Sequence, residues 1–187
     1  MILPIYIYGT SILREVAQDI DVETYPNLSE LIDNMFETMY NADGIGLAGT
    51  QVGLKDRLFV VDLSPLADDE HPEFKDFKKA FINPRILERS GDIELVEEGC
   101  LSLPGIHEKV PREEEIHIQY IDENLQPRDE RYSGFMARVL QHEYDHLDGI
   151  VFVDRISPLR KRMVKGKLAS LAKGKVNCTY KVRTTKV

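Results

Sequence analysis

Cysteine is scarce in this 187-residue sequence, which contains only Cys100 and Cys178. A secreted protein held together by disulfides would have more cysteines, so the sequence indicates a reducing compartment. A single reduced cysteine is by default a small apolar residue. Neither thiol is therefore interpreted as a ligand or nucleophile until other residues point to it.

Long apolar runs and internal repeats are also absent. No run approaches the roughly 18 residues that a membrane span requires, and residues 1–4 lack the positive charge of a signal peptide. The composition, with 42% apolar and 30% charged residues, is that of an ordered globular chain. We therefore expect a cytoplasmic protein with no membrane partner, long enough for one domain with its own core.

Positive charge is low overall but concentrated at one end. The chain carries 24 Lys+Arg against 32 Asp+Glu, which gives a net charge of −8. Residues 1–154 have a net charge of −19, whereas residues 155–187 have a net charge of +11 and no acidic side chain. This basic segment is interpreted as a solvated tail, as a tail folded against the acidic body, or as a surface that binds RNA.

Apolar spacing predicts three helices and several short strands. The helices are expected at about 27–42, at 134–147 and from Ser157-Pro158 to about Ala172. Two strands are expected at 57–63 and 80–83, and residues 64–79 between them are expected to form an exposed excursion. A pair of strands is expected within 85–98, joined by a turn at 90–92. A further strand is expected around 116–120, with a partner strand after a turn at 122–124. The predicted fold is α+β, with short, mostly antiparallel strands around the helix at 134–147 and one helix towards each terminus.

The most informative stretch is His142-Glu143-Tyr144-Asp145-His146. Residues four apart share one face of a helix, so His142 and His146 can direct both imidazoles at one point. Glu143 projects about 100° away, within reach of a ligand on the same metal ion. Two imidazoles and a carboxylate base are typical of a metal hydrolase. The alternative is a solvated helix face that matches by chance, with a probability on the order of one per cent.

A third metal ligand is not supplied after His146, because only Asp148 and Asp154 follow it as carboxylates and no histidine does. Upstream, Cys100 is the strongest candidate, within the segment EGCLS at residues 98–102. A thiolate suits Fe(II) or zinc. Three protein ligands with one open position indicate a catalytic site, since structural zinc sites are filled by four.

Together these residues resemble the motifs of the peptide deformylases, which remove the N-terminal formyl group from newly made proteins. Three motifs occur in the family's order, at residues 44–51 (GIGLAGTQ), 98–102 (EGCLS) and 141–147 (QHEYDHL). The similarity covers most of residues 1–155. One departure is Gly49, where the family usually has alanine; glycine adds backbone freedom but removes no functional group. The resemblance implies a catalytic domain over 1–155, with a basic helix and tail over 156–187 attached to it.

The resemblance also implies a role for each motif residue. Cys100, His142 and His146 would hold one divalent metal, natively Fe(II), with Zn(II), Ni(II) or Co(II) possible in the purified protein. Glu143 would activate the metal-bound water and return its proton to the departing amine. The side-chain amide of Gln51 and the backbone N–H of Leu101 would stabilise the oxyanion.

The implied substrate is a formyl-methionyl nascent peptide, whose methionine side chain requires an apolar pocket. The expected substrate-binding residues are Gly44, Ile45, Gly46, Val96, Gly99, Phe135 and Val139. Arg138 could edge this pocket, His107 is expected at the surface, and Asp145 could act through hydrogen bonds behind the ligands. The chain is expected to be a monomer that reaches the ribosome through its basic C-terminal helix.

Two other interpretations stay open. An endopeptidase with the same helix motif would cleave internal peptide bonds, but it offers no reason for Cys100. A non-catalytic metal-binding module would not require Glu143 or Gln51.

Overall fold

The structure is a computed structural model that describes residues 1–185. It contains three α-helices and seven strands within that range. In chain order they are β1 (Ile5–Tyr6), α1 (Leu28–Asn41), β2 (Gly46–Ala48), β3 (Leu58–Asp62), β4 (Lys78–Glu98), β5 (Glu108–Ile121), β6 (Pro127–Ser133), α2 (Gly134–Leu147), α3 (Pro158–Ala172) and β7 (Val182–Arg183).

Five strands form one antiparallel sheet in the order β2-β3-β4-β5-β6, and β1 pairs in parallel with β7 in a second sheet. The sheet is covered on both faces at β3. Along β3, Phe59 and Val61 pack on the side of α2, whereas Leu58 and Val60 pack on the side of α1. A strand buried on both faces has a continuous apolar sequence, which explains the run of apolar residues in β3. The predicted α+β class is confirmed, and α2 has the predicted bounds.

The long strand β4 differs from the prediction of separate short strands. It runs for 21 residues against β5, with register shifts that include one between Ser90 and Ile93. Gly91 lies there with φ of +79°. Glycine at positive φ occurs in β-bulges as well as in turns, and β4 bulges here, with its residues 90–93 opposite residues 113–115 of β5. The turn at 90–92 was therefore wrong.

The segment at 64–79 is only partly exposed, contrary to the sequence prediction. Phe74 and Phe77 are each 4% exposed and join the core on the side of α2. The ring of Phe74 lies 5.9 Å from that of Phe135, at the first turn of α2. Because most residues of this segment are polar or charged, the sequence prediction did not identify these two buried phenylalanines.

The C-terminal segment folds back onto the rest of the chain. α3 begins as predicted, with the Ser157 hydroxyl accepting a hydrogen bond from the Arg160 N–H, and buries Val164, Leu168 and Leu171. These side chains pack in one cluster with Leu103 and others. No helix within residues 1–185 is long and apolar enough to cross a membrane. The division into a catalytic domain over 1–155 with an attached helix and tail over 156–187 stays a prediction.

Gly9 allows α3 to dock, which gives a stability prediction. A Cβ on Gly9 would lie 2.7 Å from the Ala172 Cα, and its φ is +100°. Gly134 also has positive φ, +62°, but has nothing near its Cβ position. We expect Gly9→Ala to lower the free energy of unfolding by roughly 2–4 kcal/mol and Gly134→Ala by only about 1 kcal/mol, because only the first adds a backbone clash. Urea denaturation measures both, and equal losses would contradict the docking role of Gly9.

Candidate metal centre

Three ligand side chains meet where α2 passes the loop after β4. α2 presents His142 and His146 on one face, with ring centroids 5.2 Å apart. Cys100 enters from the loop, and its Sγ lies 3.4 Å from His146 Nε2. One ligand atom from each of the three residues lies within 4.8 Å of the others. The structure therefore brings together the three residues that the sequence named as ligands.

Glu98 fixes the orientation of His142. His142 Nδ1 lies 2.7 Å from Glu98 Oε1, which leaves Nε2 for the ligand group. Glu98 also accepts hydrogen bonds from Arg112 and Arg138. Burial alone would raise the pKa of Glu98, but the hydrogen bonds from His142 and Arg112 outweigh it and lower the pKa to about 2. Glu98 is therefore a permanent carboxylate behind the site.

Asp145 lies one step further from the ligands. It accepts a 2.9 Å hydrogen bond from Arg112 and two hydrogen bonds from Arg155. Asp145 thus supports Arg112, which supports Glu98, and Asp145 has no hydrogen bond to His142 itself. Sequence reasoning missed Glu98 and Arg112 as partners. Glu98 belongs to the segment EGCLS that contains Cys100, so the sequence offered a signal for it. No motif in the sequence around Arg112 indicated a role at the site.

Gln51 is held so that its amide N–H group faces the ligands. Its Oε1 accepts a hydrogen bond from the Ala48 N–H at 2.9 Å. Its Nε2 lies 3.1 Å from Ser102 Oγ and 3.5 Å from Cys100 Sγ. Because the oxygen is occupied by the backbone, the donor end of this buried amide points to the centre.

Glu143 is buried beside the same group. Its Oε2 has no hydrogen-bond partner within residues 1–185. A Cβ on Gly46 would lie 2.5 Å from Glu143 Oε1, so the glycine makes room for this carboxylate. Burial raises the pKa of Glu143 to about 7. A carboxyl group of this pKa can both accept and donate a proton near neutral pH.

A cavity of about 640 Å³ opens onto Cys100, His142 and Glu143. Ile45, Phe135 and Val139 line it, as do Gly44, Gly46 and Gly99. The glycines serve close packing: a Cβ on Gly44 would lie 2.7 Å from Leu101 Cδ1, and one on Gly99 would lie 2.8 Å from His107 Cδ2.

Val96 differs from the other expected substrate-binding residues. It pairs with Val110 in the β4–β5 ladder, its side chain is 38% exposed, and it is not among the described residues that line the cavity. Arg138 and the exposed His107 do line the cavity. The Arg138 side chain nevertheless donates hydrogen bonds to Glu98 and to the Val110 carbonyl, so these groups of the protein already occupy its donors.

The donor set fits a divalent transition metal. One thiol sulfur and two imidazole nitrogens suit Fe(II) or zinc, and three ligands leave a fourth position open. The unpartnered Glu143 Oε2 adds a proton acceptor beside that position. This arrangement can perform hydrolysis at a carbonyl group bound in the cavity.

Comparisons with known proteins agree with this geometry. The family model described as polypeptide deformylase matches residues 2–162. A peptide deformylase from Christiangramia forsetii is 51% identical over 98% of this chain and 96% of its own length, and one from Flavobacterium psychrophilum is 46% identical over 98% and 97%. The crystal structure of peptide deformylase from Thermus thermophilus is 39% identical, with a TM-score of 0.81 over 93% of this chain and 99% of that chain. The chain belongs to the polypeptide deformylase family.

Proposed function

We propose that this chain hydrolyses the N-terminal formyl group of formyl-methionyl nascent polypeptides and releases formate. Its family consists of hydrolases that remove N-formyl groups from nascent peptides. The observation that carries the proposal is the unpartnered Glu143 carboxylate, which lines one cavity together with Cys100 and His142 of the three-ligand group.

A divalent metal held by Cys100, His142 and His146 would supply Lewis acidity for the formyl oxygen and for the attacking water. Glu143 takes the proton of that water through its free oxygen as the water attacks the formyl carbon. The same carboxyl group then gives the proton to the departing amine, so the C–N bond breaks without leaving an unstable amide anion.

Gln51 and Leu101 stabilise the negative charge that develops on the formyl oxygen. The Gln51 amide is already oriented by Ala48, so its donor needs no rearrangement during the reaction. The backbone N–H of Leu101 is the second donor that we assign. Leu101 directly follows Cys100, which brings its N–H close to the ligand group.

The methionine side chain of the substrate occupies the apolar wall formed by Ile45, Phe135 and Val139. These residues line the cavity, and Val139 is 7% exposed. The glycine-lined part of the cavity at Gly44, Gly46 and Gly99 gives the peptide backbone access to the ligands. A contact between the substrate and Val96 stays a prediction of the sequence.

Fe(II) is the native metal that we propose, with Zn(II), Ni(II) or Co(II) as substitutes in the purified protein. A thiolate ligand and Fe(II) both react with oxygen, so activity should decay in air. An endopeptidase is disfavoured because that activity does not explain Cys100. A non-catalytic metal-binding module is disfavoured because it does not require the buried carboxylate of Glu143.

Loss of Glu143 should abolish formate release. With Fe(II) or Ni(II) bound under anaerobic conditions, the wild type should release formate from formyl-Met-Ala-Ser, and Glu143→Ala should be at least 10²-fold slower because no proton acceptor remains. Glu30→Ala, on the exposed side of α1, is the control that should retain activity. If the metallated wild type releases no formate, the proposed function is wrong.

The two cysteines provide a matched test of the metal site. Cys100→Ala should weaken Zn(II) binding by at least about 100-fold, because it removes one of three ligands. Cys178→Ala should bind Zn(II) as the wild type does, since Cys178 lies outside the ligand group. Competition with a chromophoric chelator measures both affinities, and equal losses would contradict the assignment of Cys100.

We also propose that the outer face of α3 docks on ribosomal RNA, where nascent chains emerge in the cytoplasm, and that the enzyme acts as a monomer. Arg160 and Lys161 pair with Glu108 and Asp154 of the body. The other basic side chains of the helix are exposed and make no ion pair within residues 1–185; they are Arg162, Lys165 and Lys167. Positive side chains without carboxylate partners are available to phosphates.

Charge reversal tests this docking without removing the helix. The double variant Arg162→Glu, Lys165→Glu should co-sediment with ribosomes about tenfold more weakly at low salt, while its formate release from a short peptide stays at the wild-type level. Lys75→Glu with Lys109→Glu changes the net charge equally at exposed positions elsewhere. The RNA proposal fails if the two double variants lose ribosome binding to the same extent.

A further inference from the structure

Residues 100–103 form a turn that begins at one of the three ligand residues. The Leu103 N–H donates a 3.0 Å hydrogen bond to the Cys100 carbonyl, and this bond closes the turn. The C=O and N–H groups of a trans peptide unit point in opposite directions, so the Leu101 N–H points out of the turn. Within residues 1–185 this N–H makes no hydrogen bond. The turn therefore offers a free donor directly after Cys100.

Two further hydrogen bonds fix the orientation of this turn. One bond closes a turn but does not fix its central peptide unit, whose rotation distinguishes type I from type II turns. Here the Tyr180 hydroxyl donates a 2.7 Å hydrogen bond to the Leu101 carbonyl, which belongs to that central unit. The Tyr8 N–H donates to the Ser102 carbonyl at 2.8 Å. All three carbonyl groups of residues 100–102 are thus bound within the protein.

Tyr180 is itself held in place, although it lies 79 residues from Leu101 in the chain. Its ring and the Leu101 side chain pack against the same cluster of buried residues, on the side of α1. The next residue, Lys181, accepts a 2.9 Å hydrogen bond from the Ile5 N–H, beside the pairing of β7 with β1. The hydroxyl therefore reaches the turn from a fixed position.

A donor that stabilises an oxyanion must have its orientation before the reaction begins. The Gln51 amide obtains this orientation from the Ala48 N–H. The Leu101 N–H has no side-chain torsion of its own, so its orientation depends on the turn and on the groups that hold it. Within residues 1–185, the Tyr180 hydroxyl is the side-chain group that binds the Leu101 peptide.

We propose that Tyr180 is a positioning residue: its hydroxyl holds the Leu101 peptide group so that the Leu101 N–H faces the negative charge that develops on the formyl oxygen. This proposal rests on the proposed deformylase function, in which Leu101 is an oxyanion donor. Tyr180 acts through Leu101, since its hydroxyl proton is already donated to the Leu101 carbonyl.

The variant Tyr180→Phe removes the hydroxyl and keeps the ring that packs against the buried cluster. A poorly fixed oxyanion donor weakens binding of the transition state but not of the substrate. With Ni(II) bound, kcat for formyl-Met-Ala-Ser should therefore fall about threefold to tenfold, the value of one hydrogen bond, while KM stays within about twofold of the wild type.

Tyr25→Phe is the matched control for this variant. The Tyr25 ring is also half-buried against the same cluster, and its hydroxyl donates to Asp56, which is not among the residues that line the cavity. Tyr25→Phe should therefore keep the kcat and KM of the wild type.

Two measurements that do not use activity separate positioning of the donor from damage to the ligand loop. Tyr180→Phe should bind Zn(II) as tightly as the wild type, because Cys100 and both histidines are unchanged. In the ¹⁵N-labelled zinc-bound protein, the amide signal of Leu101 should shift or broaden in Tyr180→Phe and stay in place in Tyr25→Phe.

An unchanged kcat or an unchanged Leu101 amide signal in Tyr180→Phe would overturn the positioning role, as would an equal loss of kcat in Tyr25→Phe. A loss of kcat with an equal loss of Zn(II) affinity would also overturn it, since Tyr180 would then act through Cys100. Wild-type enzyme that releases no formate would overturn the proposed function itself, and the amide signal would still report whether Tyr180 fixes Leu101.

Discussion

The buried carboxylate of Glu98 is the contact on which the order of the site depends. It accepts two hydrogen bonds from Arg112, one from Arg138 and one from His142. These partners lie on β5 and α2, while Glu98 itself ends β4. One carboxylate therefore joins the sheet to the helix that carries both histidines. A carboxylate buried without such partners would be strongly destabilising, so the partners and Glu98 require one another.

This network also places Cys100 relative to the histidines. Glu98 is only two residues before Cys100, so the anchor that orients His142 also fixes the start of the ligand loop. On the other side of the loop, the Leu101 carbonyl is bound by Tyr180 and the Ser102 carbonyl by the Tyr8 N–H. The geometry of the metal centre is thus set by tertiary contacts that surround a short irregular segment.

The sequence predicted those parts of the site that have a local signal. His142, Glu143 and His146 share one helical turn, and α2 was predicted with its observed bounds. Cys100 was found because no ligand follows His146 and because its motif resembles a family motif. Arg112 could not be found in this way. It lies 14 residues from Glu98 in the chain, and only the pairing of β4 with β5 brings the two side chains together.

The same limit explains the errors in the fold. Gly91 has the signature of a turn, and whether a turn or a bulge forms depends on the partner strand. Phe74 lies among charged residues, yet it is buried against Phe135 because the segment folds over the first turn of α2. In both cases the deciding contact is distant in sequence, so local composition and periodicity carried no information about it.

The C-terminal segment shows how one stretch of chain can serve two surfaces. Its basic composition suggested that it binds RNA, and the basic side chains on which that interpretation depends lie on the outer face of α3. The half-buried face of residues 176–180, which follow α3, carries little charge, with Val176, Cys178 and Tyr180 turned inwards. Arg160 pairs with Glu108, which holds α3 on the body and so sets where the residues that follow α3 begin. The same stretch of chain therefore presents a basic face to solvent and a weakly charged face to the body of the protein.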